Sequence, residues 1–322
     1  MTQLRTFVAL AGLVVAAAVG AQDYPNKPIR MIVPWSAGGG ADTMARLFGA
    51  KLSEAWGQPV YIENKGGATG TIGTDLVAKA APDGYTLLMG TNSTYVIALS
   101  LYNKLPYDPE KDLLPISKVA EVPHILNVNP SLPVQNAAEL VALLKSKPDQ
   151  IAFGSSGSGS TPHVAGEIFM NLTGTKLIHA PYKGSGQSLA DTVAGSVQVS
   201  FDTLPSVLPF VQAGRLRPLA VLGPKRVSAL PNLPTSAEAG IPGAEGVTWF
   251  GLYGPAGMPP AIVKKIHDEV ARISKLPDVK AKLETFGATP STDVPSDVFA
   301  ASVKVDIVRY SKILQAAGIK KE

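Results

Sequence analysis

Apolar and polar residues follow one another along this chain in a repeated unit: a short β-rich apolar run, a loop of glycine and serine, and an amphipathic helix. The first unit is IRMIVPW, then SAGGG, then a helix predicted from about Asp42 to Trp56. The second is PVYIEN, then KGGATG, then a helix predicted from about Thr71 to Ala81. Two further units begin at IAFGSS and KLIHAPYKGSG. Strands that alternate with helices of this length predict βαβ units, and therefore a mainly parallel sheet in an α/β fold.

Two extended passages divide the repeated units into groups. They read ISKVAEVPHILNVNP and LRPLAVLGP, and prolines interrupt any helical pattern in the first. We interpret both as strands that cross between two lobes. The predicted first lobe is discontinuous and comprises residues 22–126 and 223–322, whereas the predicted second lobe comprises residues 127–222. Because ligands of such sheets bind outside the carboxyl ends of the strands, the glycine and serine loops are expected to face one crevice.

The first 21 residues have the pattern of a secretory signal peptide. Arg5 is the one charged residue, an apolar run follows, and small residues end at Ala21, near which we expect cleavage. No later stretch is long and apolar enough to cross a bilayer. The chain has no cysteine, which suits an exported protein large enough to fold by burial alone. These features predict a periplasmic protein.

The charge of the chain excludes one class of partner. The formal net charge is +4, or +3 without Arg5, and the basic residues are scattered. Nucleic-acid binding normally needs a strongly basic patch or stripe, so no nucleic-acid partner is expected.

The glycine triplet before the first helix does not match a nucleotide-binding motif. Gly38 and Gly40 fit the first two glycines of G-x-G-x-x-G, but Thr43 occupies the third position, and no P-loop ending occurs. The serine-rich FGSSGSGSTPH lacks the spacing of a nucleophile elbow, although His163 could serve a serine as base. The four histidines are dispersed without metal-ligand spacing. An exported serine hydrolase therefore stays only as an alternative, and no metal or cofactor is expected.

Anion binding explains the glycine and serine loops better. Such loops expose backbone N–H groups, and the helix that follows each loop adds the positive end of its dipole. A carboxylate is the expected ligand. Asp42 is expected to cap its helix, whereas Asp202, which follows a strand, is expected either to bind a ligand hydroxyl or ammonium or to anchor its loop.

Eight segments in order carry a family resemblance. They are YPNKPIRMIVPWSAGGGADTMAR, GQPVYIENKGGATGTIGTDLVAKAAPDGYTLLMG, LPYDPEKDLLPISKVA, FGSSGSGSTPHVAGE, PYKGSGQSLADTVAGSVQVSFD, LRPLAVLGPKRVSALPNLPTSAEAG, WFGLYGPAGMPP and AAGI. With these segments the chain resembles the periplasmic solute receptors of tripartite tricarboxylate transporters, of the Bug or TctC type.

The resemblance implies a fold and a function. It implies an α/β protein of the type II periplasmic-binding class, a two-lobed Venus flytrap that closes on a small organic carboxylate. The ligand would be a dicarboxylate, a tricarboxylate or an aromatic acid, and the partner would be the inner-membrane permease subunits of the transporter. We expect a monomer without enzymatic activity. Signalling to a membrane sensor kinase is an alternative output.

The resemblance also implies which residues contact the ligand. The first lobe would contribute Trp35, Ser36, Gly38, Gly39, Gly67, Ala68, Gly70 and Asn92. The second lobe would contribute Ser155, Gly157, Ser158, Ser160, His163, Tyr182, Lys183, Gly184 and Asp202. The indole at position 35, where the family commonly has a smaller aromatic ring, favours a flat or aromatic acid.

Overall fold

The structure is a computed structural model that describes residues 24–316, 319 and 321. The predicted signal peptide at residues 1–21 lies outside the described residues. Across the described part of the chain, no helix combines the length and the apolar character needed to cross a membrane.

The described chain contains ten strands and eleven α-helices. The strands are β1 Ile29–Val33, β2 Val60–Asn64, β3 Thr86–Thr91, β4 Leu113–Val128, β5 Ala152–Ser155, β6 Ile178–Pro181, β7 Val199–Thr203, β8 Arg217–Leu222, β9 Val247–Pro255 and β10 Thr289–Pro290. The helices are α1 Gly40–Trp56, α2 Thr71–Ala78, α3 Ala98–Leu101, α4 Pro109–Asp112, α5 Ala137–Ser146, α6 Thr161–Thr173, α7 Ser185–Ala194, α8 Leu204–Gln212, α9 Pro260–Ser274, α10 Pro277–Thr285 and α11 Ser296–Ala316. A 3₁₀ turn at Ala68–Gly70 and a π-helical turn at Ser93–Ile97 complete the loops.

The strands form one continuous sheet in the order β2-β1-β3-β9-β4-β7-β5-β6, with β8 and β10 also paired to β4. The predicted units supply its parallel pairs, since β1 runs parallel to β2 and β3, and β5 runs parallel to β6 and β7. The pairs in the middle of the sheet, around β4 and β9, are antiparallel. The sheet is therefore parallel at its two ends and antiparallel between them.

Strand β4 joins the two lobes. Its residues from Leu113 to Pro123 pair with β9, and its residues from His124 to Val128 pair with β7 and β8. The chain returns to the first lobe where β9 begins. Residues 223–246 contact both lobes, because Val227 packs in the first core and Ile241 in the second. The lobe limits at 126/127 and 222/223 therefore stay a prediction.

Each lobe has its own apolar core, and helix α1 shows how the sequence builds it. Met44, Ala45, Phe48 and Leu52 recur at helical spacing and are all buried against the first sheet half. The helix ends where Gly57 adopts a left-handed conformation with φ of 64°. Each buried Leu, Met or Phe side chain of this kind stabilises the fold by roughly 1.5–3 kcal/mol. The core thus fixes the start of α1 at the edge of the cleft.

Candidate functional site

A cavity lies between the two lobes, and we call it the cleft cavity; together with the open space at its mouth it measures about 350 Å³. It opens at the carboxyl ends of β1 and β7, which is where the sequence places its glycine and serine loops. The lining residues are Trp35, Gly39, Gly40, Ala41, Thr91, Ser93, Ser156, Thr161, Pro162, Ser185, Asp202, Thr203, Thr248 and Phe250.

Four helices begin at the wall of the cleft cavity. Gly40 starts α1, Thr161 starts α6 and Ser185 starts α7, and Thr203 precedes the first residue of α8. The first N–H groups of a helix have no partner within the helix, and its dipole makes this end positive. No lysine, arginine or histidine is among the cavity-lining residues of the described chain. The cavity is therefore suited to an anion that is held by backbone dipoles instead of basic side chains.

Hydroxyl groups connect the two lobes inside the cavity. The Thr161 N–H donates to the Ser93 hydroxyl at 3.0 Å, and the Thr161 hydroxyl lies 2.6 Å from that of Thr248. His124 Nε2 lies 2.7 Å from the same Thr248 hydroxyl. Burial lowers the pKa of His124 to about 3, so its imidazole is neutral near pH 7. The network offers hydrogen bonds but no charge.

The remaining walls are two aromatic rings and one carboxyl group. Trp35 and Phe250 line the cavity, and Asp202 is only 2% exposed. Asp202 Oδ1 accepts hydrogen bonds from the Thr203 N–H at 2.7 Å and from the Thr203 hydroxyl at 3.4 Å. Burial raises the pKa of Asp202, although hydrogen bonds from Ser185, Thr203 and Ser206 oppose the rise. Asp202 thus anchors the start of α8 and also faces the ligand space.

The lobes touch each other around the cavity, so the structure shows a closed cleft. The Ser36 N–H donates to the Lys183 carbonyl at 3.2 Å. On the outer side, the Thr69 hydroxyl donates to the Ser158 carbonyl at 2.6 Å, and the Tyr102 hydroxyl donates to Thr69 at 2.9 Å. Thr69 has a φ of 51°, which is uncommon for a β-branched residue. The surrounding structure therefore holds Thr69 in a strained conformation that points its hydroxyl at the other lobe.

The predicted ligand contacts separate into groups. Three of them line the cleft cavity: Trp35, Gly39 and Asp202. Five line a second, shallow depression on the outer side of the cleft, which we call the outer groove: Ala68, Gly157, Ser158, Tyr182 and Lys183.

Other predicted residues shape the closed cleft without lining the cavity. Gly184 packs so close to Ser36 that a Cβ atom on it would lie 2.3 Å from the Ser36 hydroxyl oxygen. Gly70 has a φ of 84° and lies behind Trp35, where a Cβ atom would be 3.2 Å from the indole. Gly67 has a φ of 132° and allows the preceding turn.

Three predicted residues in and after the serine loop are buried and line neither the cleft cavity nor the outer groove: Ser155, Ser160 and His163. The Ser155 hydroxyl is buried and lies 2.6 Å from His179 Nε2, while the Ser160 hydroxyl caps α6 by accepting from the His163 N–H. The His163 and His179 rings stack with centroids 3.9 Å apart. Because the Ser155 hydroxyl is fully buried, this serine–histidine contact is not open to a substrate.

The side chains of Asn92 and Asp42 are hydrogen-bonded to other groups of the protein. Asn92 is buried away from the cavity wall, and its amide donates to the Val247 carbonyl at 3.0 Å and to the Tyr310 hydroxyl at 2.7 Å. Asp42 does not accept from the first turn of α1 as expected. Its carboxylate accepts from the Gly38 N–H, ahead of the helix, and from Arg46. The α1 helix begins at Gly40, two residues earlier than predicted, so Asp42 reaches back to fix the glycine loop.

Most residues of the cavity wall were not predicted from the sequence. The missed residues are Gly40, Ala41, Thr91, Ser93, Ser156, Thr161, Pro162, Ser185, Thr203, Thr248 and Phe250. Several of them are neighbours of predicted residues, and the helix-start signal could have identified them. Thr248 and Phe250 lie on β9, which carries no glycine or serine loop and gave no signal.

Replacing Thr69 with valine is expected to weaken ligand binding about five- to tenfold. Valine keeps the β-branched shape and the backbone strain but removes the hydroxyl that joins the lobes, and one such bond contributes about 1 kcal/mol. Calorimetric titration measures the change. Tyr102→Phe is the control, because it keeps the Thr69–Ser158 bond and should cost less. Equal affinities for Thr69→Val and the unmodified protein would show that this bond does not stabilise the closed form.

The chain matches a known protein family and its members along most of its length. Residues 44–319 match the model of the tripartite tricarboxylate transporter family receptor. Protein BugT of Bordetella pertussis is 38% identical over 318 residues, which are 98% of this chain and 96% of BugT.

Two solved structures have the same fold. Rpa4515 of R. palustris, solved with adipate, is 37% identical with a TM-score of 0.90, over 93% of this chain and 100% of that chain. MatC of Rhodopseudomonas palustris, solved with bound malate, is 31% identical with a TM-score of 0.85, over 90% of this chain and 100% of that chain. The expected two-lobed α/β fold of a periplasmic binding protein is thereby confirmed. Because the family match and the relatives cover nearly the whole chain, the chain belongs to the receptor family of the tripartite tricarboxylate transporters.

Proposed function

We propose that this protein binds a small organic carboxylate in the cleft cavity and delivers it to the permease of a tripartite tricarboxylate transporter. The observation that carries the proposal is the convergence of four helix N-termini on a cavity whose described wall has no basic side chain. A carboxylate gains hydrogen bonds from N–H groups and hydroxyls there, and the helix dipoles favour its charge. Relatives solved with adipate and with malate support this ligand class.

The ligand contacts follow from this arrangement. We propose that the starts of α1 and α7 hold the ligand carboxylate from opposite lobes, with Gly39 and Ser185 nearest to it. Trp35 and Phe250 would enclose the carbon skeleton. The predicted residues of the outer groove would act by holding the lobes together, since Ser158 and Lys183 take part in bonds between the lobes.

The wider assignment is also a proposal. Residues 1–21 would be a signal peptide, so that the mature protein begins near residue 22 and works in the periplasm. The first lobe would comprise residues 22–126 and 223–322, the second would comprise residues 127–222, and closure would bend the strands between them. The protein would act as a monomer and would have no catalytic activity, and the membership of a receptor family supports the second of these. Contact of the loaded form with a membrane sensor kinase is the second candidate output.

A thermal-shift screen tests the carboxylate assignment. Adipate, malate, citrate and benzoate are added to protein stripped of ligand by unfolding and refolding. A ligand at a hundred times its Kd stabilises the folded state by about 2.7 kcal/mol, which raises Tm by about 5 °C or more in a protein of this size. The neutral diamide of adipic acid is the matched control and should give no shift. If no organic acid raises Tm in refolded protein, the proposed function is wrong.

A further inference from the structure

Asp202 is the one charged or titratable side chain in the described wall of the cleft cavity. It is 2% exposed, and Oδ1 is bound by the Thr203 N–H and hydroxyl. If a carboxylate occupies this cavity, it shares a small space with the buried carboxyl group of Asp202. Where two carboxyl groups share one site, their repulsion strongly raises the pKa of one of them. The cavity wall of the described chain supplies no cation.

The basic side chains on the elements around Asp202 have acidic partners other than Asp202 or, in the case of His124, are neutral. Strand β7 packs against β4, β5, α6, α7 and α8, and the cavity also brings α1 close. The titratable or charged side chains of these elements are Lys118, Glu121 and His124 on β4, His163 and Glu167 on α6, Asp191 on α7, and Asp42, Arg46, Lys51 and Glu54 on α1. Lys118 pairs with Glu121, and Lys51 pairs with Glu54 and Asp278. Burial keeps His124 neutral near pH 7. Arg46 is taken by Asp42, and Asp191 accepts from the Tyr182 hydroxyl. Strand β5 and helix α8 carry no titratable or charged side chain.

We propose that Asp202 is protonated in the closed, loaded receptor and donates a hydrogen bond to the bound carboxylate, so that ligand binding takes up one proton. This inference rests on the proposed function. A shared proton turns the repulsion between two carboxylates into a short, charge-assisted hydrogen bond. Burial in the closed cleft favours the neutral acid, and the pKa of Asp202 is raised accordingly. The proton comes from solvent as the cleft closes, and it returns to solvent when the ligand leaves.

The proposal sets the sign of the pH dependence. In the open receptor the Asp202 carboxyl is hydrated and ionised near neutral pH, whereas in the loaded receptor it is protonated. Each unit by which the pH falls therefore tightens binding about tenfold, as one linked proton requires. The effect is expected between about pH 6 and pH 8, where a dicarboxylate ligand is itself ionised and adds no proton of its own. Asp202 would thereby make this receptor bind best in mildly acidic surroundings.

Calorimetric titration with adipate, or with malate if adipate gives no thermal shift, tests the proposal. Titration at several pH values in two buffers of different ionisation heat counts the protons taken up. The expected result for the unmodified protein is close to one proton per ligand and a tenfold change in Kd per pH unit. Asp202→Asn supplies a permanent donor, so it should bind with a Kd that no longer depends on pH and should bind more tightly than the unmodified protein at pH 8.

The matched control is Asp306→Asn on α11. Asp306 is a partly buried acid that accepts from the Trp249 indole at 2.8 Å, and it lies outside the cavity wall. The Asp306→Asn variant should bind the ligand with the same pH dependence of Kd as the unmodified protein. Ligand binding without proton uptake would overturn the proposal. Loss of binding in Asp202→Asn at every pH would also overturn it, because that outcome means that binding needs the ionised carboxylate. The number of protons taken up is measured on the unmodified protein, so it tests the proposal even if Asp202→Asn does not fold. If no organic acid binds, the proposed function fails as well.

Discussion

Replacing Gly186 with alanine is expected to weaken ligand binding at least about a hundredfold without destabilising the protein. Gly186 is in the first turn of α7 in the second lobe, and a Cβ atom on it would lie 1.9 Å from the Ala37 carbonyl oxygen of the first lobe. The lobes therefore cannot approach as they do here, and contacts made only in the closed form are lost. A hundredfold loss corresponds to about 2.7 kcal/mol. Alanine also favours a helix over glycine by up to about 1 kcal/mol.

The two effects of Gly186→Ala have opposite directions, which makes the result easy to interpret. Calorimetric titration gives the affinity, urea unfolding gives the stability without ligand, and small-angle scattering reports whether ligand still closes the cleft. Ala190→Ser is the control, because Ala190 is exposed on the same helix. It should bind like the unmodified protein. Unchanged affinity in Gly186→Ala would mean that binding does not need the approach of Ala37 to α7.

Acidification from pH 7 to pH 5 is expected to reduce the free energy of unfolding by about 4 kcal/mol through His124, which is buried, and His179, which is partly buried. Burial lowers the pKa of His124 to about 3, and burial together with the neighbouring His163 lowers that of His179 to about 3. Both imidazoles titrate near 6.5 in the unfolded chain, so unfolding takes up protons below that pH. Stability is thus complete above pH 6.5 and is lost as the pH falls toward 3. At pH 5 each histidine accounts for roughly 2 kcal/mol.

Urea unfolding at pH 7 and at pH 5 measures this loss, and His179→Gln is expected to halve it. Each variant is compared with itself at the two pH values, so its stability at neutral pH does not affect the result. Ser155→Ala is the control: it removes the 2.6 Å contact to His179 but keeps the imidazole, so it should lose as much stability as the unmodified protein. The interpretation fails if His179→Gln remains as sensitive to acid as the unmodified protein.

The sequence predicted the parts of the fold that depend on local pattern. The periodic apolar residues of α1 and α2 predicted those helices to within about three residues at each end. Helix α10, Pro277–Thr285, was not predicted, because its short pattern of PDVKAKLET buries only two side chains. The parallel strand pairs followed from the repeated units. The antiparallel middle of the sheet did not, because it depends on which distant strands pair.

The site could be predicted only where the residues belong to a loop with a recognisable physical role. Trp35, Gly39 and Asp202 are next to such loops and line the cavity. Phe250 lines it from the middle of β9, and nothing in the apolar run VTWFGLYGP distinguishes a residue that faces the cleft from one that faces the core. Asn92 is the opposite case, because it was predicted to contact the ligand but does not line the cavity. It follows β3 at the expected edge, but its amide donates to the Tyr310 hydroxyl of α11. Such placements are decided by tertiary contacts between distant segments.

The position of β9 has a consequence for how the chain folds. β9 lies between β3 and β4, and the bond from Asn92 to Val247 spans 155 residues. A nascent chain that ends before residue 247 has the inner edges of β3 and β4 exposed, and unpaired edges of this kind promote aggregation. Closing so long a loop is slow, since its entropy is lost before the strand pairing compensates for it. The first lobe, although it contains the start of the described chain, is therefore the last to complete its sheet.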